Sequence, residues 1–221
     1  MRKLKVTGDS RDEKRYITMK SAIQVFHDWS LNGKDEGMEK VHSSSVEEML
    51  TFVLNNIKEP FSFIDAGCGN GWAVRRVLSN PLCKSATGID GATGMIDKAK
   101  TLDSEGNYIC ADFINWIPEN PVDIVLSMEV FYYVADPKIL IQHVLDNWLK
   151  PKGYLIVGVD FYKENEPSLS WQKDCGISTM TLFSEKEWLS AFEISGFNYV
   201  KSWQHGAKDN WSGTLILTGE K

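Results

Sequence analysis

The chain has 221 residues, enough for one α/β domain with an extension and too few for two full ones. A hydrophobic fraction of 43% and a charged fraction of 24% allow a sizeable core and exclude an intrinsically disordered chain. The net charge of −6 argues against a nucleic-acid partner, and no signal-peptide pattern or membrane-length apolar run occurs, so a cytoplasmic protein without membrane association is expected. Cys68, Cys83, Cys110 and Cys175 form no C-x-x-C pair and have no histidine at ligand spacing, so no disulfide framework and no metal are expected.

Residues 1–15 are charged and aperiodic and read as a mobile tail. Between Ile17 and Leu31 apolar residues recur at 19, 22, 23, 26 and 29, the spacing of an amphipathic helix that Asn32-Gly33 ends. Ser43-Ser44-Ser45 supplies N-cap candidates for a second helix to about Ile57. From Phe61 onward short apolar runs alternate with helical patterns, which predicts βαβ units and a parallel sheet. The first run, Phe61 to Ile64, leads through Asp65-Ala66-Gly67-Cys68-Gly69-Asn70-Gly71 into a helix that begins near Trp72. Strand, glycine turn and helix make a nucleotide-binding grammar, because residues without Cβ let a ligand approach the backbone. A dinucleotide fingerprint would place its third glycine at position 72, where this chain has tryptophan, so a nicotinamide cofactor is disfavoured. A carboxylate at position 65 would repel a pyrophosphate and attract an ammonium.

Ser85 to Asp90 is the second predicted strand, ending in an acid 19 residues past Gly71, the distance one crossover helix needs. Asp90 is thereby placed beside the glycine loop, where its carboxylate can accept both hydroxyls of a ribose. Asn107 to Phe113 carries a third strand with Asp112 at its end, Val122 to Ser127 a fourth, and Tyr154 to Val159 a fifth after the helix Ile139 to Leu149. Asp160 to Thr181 is too long for an ordinary connection and reads as a binding loop. Ser184 caps a helix to Ile194, and Phe197 to Trp203 and Thr214 to Thr218 are the last strands.

The acidic-x-Gly-x-Gly-x-Gly stretch resembles motif I of the class I S-adenosylmethionine-dependent methyltransferases of the small-molecule type. The Ser127 to Pro137 segment is similar to that family's S-x-x-V-L-x-x-V-x-D-P, and Lys150-Pro151-Lys152-Gly153 is a further match. The resemblance covers about residues 60–160. It implies a Rossmann-like, doubly wound, seven-stranded sheet, mostly parallel with an antiparallel last strand. A helical extension over 1–58 would cover the active site, with a core over 59–221 and a substrate-side loop over 160–181.

The resemblance further implies S-adenosylmethionine as cofactor and methyl transfer to nitrogen, oxygen or sulfur of a small molecule. Under it Asp65, Ala66, Gly67, Cys68, Gly69 and Gly71 would hold the cofactor tail, and Asp90 and Gly91 the sugar. Met95, Asp112 and Phe113 would hold the base, with Ser127 and Met128 flanking the sulfonium. Gly91 departs from the bulkier residue that many relatives carry after the acid. Trp29, Met38, Glu39, Tyr162 and Trp171 are substrate-side candidates, and Glu129, Tyr132 and His42 are titratable candidates for catalysis. No Asn/Asp-Pro-Pro-aromatic or Pro-Cys motif follows the fourth strand, which moves the acceptor toward small molecules. A non-catalytic cofactor-binding subunit or sensor and a protein or RNA methyltransferase stay as alternatives, and a monomer or homodimer is expected.

Overall fold

A computed structural model of the chain describes residues 18–55 and 57–221; the tail read over 1–15 lies outside the described residues. Helices α1 (Ala22–Leu31) and α2 (Met38–Asn55) precede the sheet, joined by a 3-10 turn at Lys34–Gly37. The remaining elements alternate: β1 (Phe61–Ala66), α3 (Trp72–Leu78), β2 (Cys83–Asp90), α4 (Thr93–Leu102), β3 (Asn107–Cys110) and β4 (Val122–Met128). They continue with α5 (Pro137–Asn147), β5 (Leu149–Val159), the short α6 (Trp171–Asp174), α7 (Glu185–Ser195), β6 (Asn198–His205) and β7 (Thr214–Glu220).

The seven strands form one sheet in the order β3-β2-β1-β4-β5-β7-β6. Neighbours from β3 to β5 are parallel, while β7 runs antiparallel to both β5 and β6. Strand order reverses between β1 and β4, and a crevice at such a switch point is where open α/β sheets take their ligands. Successive strand residues point to opposite faces, so each hydrophobic run feeds two cores. Phe63, Ile124, Ile156 and Ile216 pack with α2, α3 and α4. Ile64, Val125, Leu155 and Leu217 pack with α5 and α7, around the fully buried Trp148 and Trp188. Among the described residues no helix is long and apolar enough to cross a membrane.

Local chemistry sets the element boundaries, and several depart from the sequence expectation. The first helix begins at Ala22, because Ser21 and Gln24 close a reciprocal capping box ahead of it. The second begins at Met38, so Ser43–Ser45 lie inside it; Ser44 and Ser45 bond His205 and Thr214 (2.8 and 2.7 Å), tying α2 to the far end of the sheet. The fifth strand begins at Leu149 and runs through the Lys-Pro-Lys-Gly segment. Elsewhere Asp136 caps α5 with Pro137 at its first position, and Ser184 with Glu187 caps α7, which Gly196 ends.

Candidate cofactor and acceptor site

A cavity opens at the carboxyl ends of β1, β2 and β4. Its floor is the turn after β1: Gly67, Gly69 and Gly71 all have positive φ. Gly67 (φ 86°) leaves no room for a side chain, since a Cβ there would lie 2.1 Å from Val130 Cγ2. The turn is fixed from below, because the Gly67 and Cys68 amides donate to the Ile89 carbonyl at 2.8 and 3.0 Å.

Three strand-end acids line this one cavity, Asp65, Asp90 and Asp112. Asp65 is 4% exposed, and burial, with Asp90 nearby, pushes its carboxyl up to about 7. A cationic ligand beside it would offset that cost. Asp90 accepts the Gly69 amide at 3.0 Å and the Ala92 amide at 2.8 Å, one on each oxygen; burial still raises its pKa. Those two bonds fix the carboxylate plane while leaving each oxygen a further lone pair. Asp112 sits two residues past the end of β3 and is exposed; it accepts the Ile114 amide (3.1 Å) and the Asn115 side chain (2.7 Å). Gly91, Met95 and Phe113 line the same end of the cavity.

The N-terminal segment forms the roof. Ser21, which caps α1, and Ala22, Ile23 and Phe26 of α1 line the cavity together with Ser178 and Thr179. Lys20 and the 176–178 segment are joined by two backbone hydrogen bonds, Lys20 N to Gly176 O at 2.8 Å and Ser178 N to Lys20 O at 2.7 Å. Helix α1 sits on small residues: Ile23 lies over Gly91, Ser30 and His27 lie over Gly94, and the Gly94 amide donates to His27 Nδ1 at 3.1 Å. Asp35, 2% exposed, pairs with Lys98 of α4 at 2.9 Å and accepts from Asn70 of the glycine loop at 3.2 Å, so it pins the roof to the floor.

At the other end, Met38, His42, Met128, Glu129 and Tyr133 line the wall. Glu129 has φ 61°, a left-handed conformation that costs an ordinary residue about 1–2 kcal/mol. Its Oε2 accepts the Tyr132 hydroxyl at 2.6 Å, and its Oε1 accepts the Asp160 amide. Burial first, then Asp160, holds the Glu129 carboxyl well above the usual range. The His42 Nε2 lies 3.7 Å from Asp160 Oδ2, and burial outweighs that carboxylate in lowering the imidazole's pKa.

Several predicted site residues lie off the cavity. Ala66 and Gly71 form the loop without lining it, and Gly71 abuts the Tyr108 ring. Ser127 is fully buried and donates to the Ala66 carbonyl at 2.7 Å, bracing β4 against β1. Tyr132 is fully buried behind Glu129. Trp29 packs edge-on against Phe26, Glu39 is exposed, Tyr162 donates to the Gly213 carbonyl, and Trp171 stacks on Trp211. Sequence reasoning passed over Ile23, Phe26, Asp35, Asn70 and Tyr133. Asn70 sits inside the glycine motif and Asp35 precedes a helix, but only the fold shows that they meet.

Residues 64–157 match the sequence model of the family described as a methyltransferase domain. The trans-aconitate 2-methyltransferase of Escherichia coli O139:H28 is 26% identical over 147 residues, which is 60% of this chain and 57% of that protein. A malonyl-[acyl-carrier protein] O-methyltransferase of Ilyobacter polytropus is 28% identical over 130 residues, 55% of this chain and 49% of that one. The chain thus spans about half the length of the curated relatives it matches. Among solved structures, a Haloferax volcanii methyltransferase in complex with the Trm112 activator is 26% identical with a TM-score of 0.77, covering 92% of this chain and 99% of that one. The N-methyltransferase NodS of Bradyrhizobium japonicum, solved with S-adenosylhomocysteine, shares the fold at 17% identity and a TM-score of 0.61, covering 79% of this chain and 84% of that one.

Proposed function

We propose that this chain, a member of the class I S-adenosylmethionine-dependent methyltransferases, moves the cofactor's methyl group to a nitrogen, oxygen or sulfur of a small-molecule acceptor. The observation that carries the reading is the convergence of Asp65, Asp90 and Asp112 with the glycine loop on one roofed cavity. Asp65 faces the ammonium of the cofactor tail and Asp90 the ribose hydroxyls. Asp112 meets the adenine amine, and Met95, Phe113 and Ile23 pack on the ring. The bond from sulfur to the methyl carbon breaks as the bond to the acceptor forms; sulfur keeps the electron pair, and the acceptor's proton leaves to a base or to water. A sulfonium methyl is already electrophilic, so the protein contributes alignment and exclusion of water.

The described part of the N-terminal extension and the loop over 160–181 form the acceptor side in this reading, supported by Met38 and His42 from the first and Ser178 and Thr179 from the second. Tyr132 acts as a positioning residue through its hydrogen bond to Glu129. Among the described residues no lysine or arginine lines the cavity and His42 is the one basic side chain in the lining, which gives little support to a polycarboxylate acceptor of the trans-aconitate kind. A neutral or cationic acceptor fits better.

The test is calorimetric titration with S-adenosylhomocysteine, followed by transfer from methyl-labelled cofactor to a metabolite panel sorted by charge. Binding with label on a neutral or cationic compound is expected. Binding without transfer to any compound would favour a non-catalytic subunit, and failure to bind would remove the reading. A catalytic chain working with an activator subunit is a second reading, supported by the likeness to the Haloferax volcanii protein; a partner that co-purifies and raises turnover would favour it.

A further inference from the structure

The acceptor end holds a second constellation. His42, Glu129 and Asp160 are all buried, and each offers a ligand atom within 4.8 Å of the others'. They come from α2, from the residue after β4 and from the residue after β5, so only the folded sheet assembles them. His42 and Glu129 line the cavity, with Asp160 behind them.

Two features set this cluster apart from an ordinary buried network. The His42 Nε2 and Asp160 Oδ2 face each other across 3.7 Å, too far for a hydrogen bond, while the ring is also hydrogen-bonded to the Met38 carbonyl one turn back. With that bond made through the other ring nitrogen, Nε2 presents a lone pair to a carboxylate oxygen. In addition, Asp160 Oδ1 is buried with no hydrogen-bond partner, in a side chain only 5% exposed. An orphaned carboxylate oxygen at that depth is costly. The other groups facing the cluster are the Tyr132 hydroxyl on Glu129 and the Thr214 side chain, which hydrogen-bonds the Asp160 carboxylate and leaves Oδ1 without a partner. No lysine or arginine pairs with Glu129 or Asp160 among the described residues.

We propose that His42, Glu129 and Asp160 bind a divalent transition-metal ion of the Zn²⁺ or Mn²⁺ class. One imidazole and two carboxylates are a donor set for such ions. An ion about 2.1 Å from both His42 Nε2 and Asp160 Oδ2 would subtend roughly 120° across the 3.7 Å gap, close to trigonal and wider than tetrahedral geometry. The supporting contacts are of the kind that orient metal ligands: the Met38 carbonyl on His42, and the Tyr132 hydroxyl and Asp160 amide on Glu129. A further coordination position on the cavity side would take an acceptor hydroxyl, whose pKa the ion would lower so that its proton leaves to water and the oxygen attacks the methyl carbon as the alkoxide. That last use rests on the methyltransferase reading; ion binding does not. Ligand spacing along the chain gave no sign of the site, because its residues are 87 and 31 positions apart.

The test uses the full chain, stripped with a chelator and titrated calorimetrically with zinc or manganese chloride. One ion per chain is expected, with affinity at least tenfold weaker in His42→Ala and in Asp160→Asn and unchanged in His205→Ala, which removes a partly exposed histidine beside Glu48. Wild-type protein loaded with Co²⁺ gives a readout that needs no variant: visible bands of a four- or five-coordinate ion support the site, and the spectrum of the hydrated ion overturns it. Absence of binding, or binding that survives both ligand substitutions, also overturns it. S-adenosylhomocysteine titrated into the same stripped protein separates the two readings, since loss of ion binding with retained cofactor binding sinks only the metal site.

Discussion

Ile23 fills the space above Gly91: a Cβ built at 91 would lie 2.9 Å from both Cδ1 and Cγ1 of Ile23. The position after Asp90 carries no side chain of its own, and helix α1 fills that space from above. Gly91→Leu should push α1 off the sheet edge and weaken S-adenosylhomocysteine binding by about tenfold, on the order of 1.4 kcal/mol. Adding Ile23→Ala should restore most of the loss, as contacting residues couple. Simple additivity of the two substitutions in titration calorimetry would show that they do not share this space.

Asp90→Ala should cost about 1.5–3 kcal/mol of cofactor affinity, the worth of hydrogen bonds to a charged group. The fold should survive, since the substitution releases only the Gly69 and Ala92 amides, at the cavity rim. Unchanged affinity by calorimetry would refute the ribose assignment.

The Asp65 carboxyl titrates near 7 in the ligand-free protein and near 3.8 when unfolded, so the folded state binds the proton more tightly. Its stabilising contribution is whole below about pH 4 and is lost as pH rises to about 7. Asp65→Asn should therefore raise the melting temperature of the ligand-free protein at pH 8, with the gain shrinking toward pH 4. Under the proposed assignment the cofactor's ammonium would need the ionised carboxylate, so wild-type affinity should fall as pH drops below about 7. Melting curves and titrations across this range check both halves, and a pH-independent difference would exclude Asp65 as the source.

Gly67→Val should abolish cofactor binding, because the position combines φ 86° with a Cβ site 2.1 Å from Val130. The side chain would have to displace Val130, which lines the cavity. Retained binding, with an unchanged melting temperature, would mean that the loop is more plastic than its anchoring to Ile89 implies.

The strand sequence and the three rim acids were legible because they are local: each acid follows an apolar run, and the run itself gives the strand. The family resemblance put Ser127 among the cofactor contacts and Tyr132 among the catalytic candidates, but a motif cannot tell which side of a strand end faces a cavity; one braces Ala66 and the other lies behind Glu129. Trp171 and Tyr162 were chosen as large residues in a long loop, yet that loop is packed, with Asn165, Ser168 and Ile177 buried, and only Ser178 and Thr179 reach the cavity. Asp35 was invisible for the opposite reason: its partners Asn70 and Lys98 are 35 and 63 residues away, and nothing in a polar turn announces them.

The paired backbone bonds between Lys20 and the 176–178 segment have a kinetic consequence. A ligand seated beneath α1 would be held by that latch, so under the proposed function its release would wait on the opening of those bonds. In the proposed reaction the pace would then be set by two hydrogen bonds on the rim, and a lone proline at Ser178, which deletes one of those donors, would change how fast a spent cofactor departs before it changed how the methyl group moves.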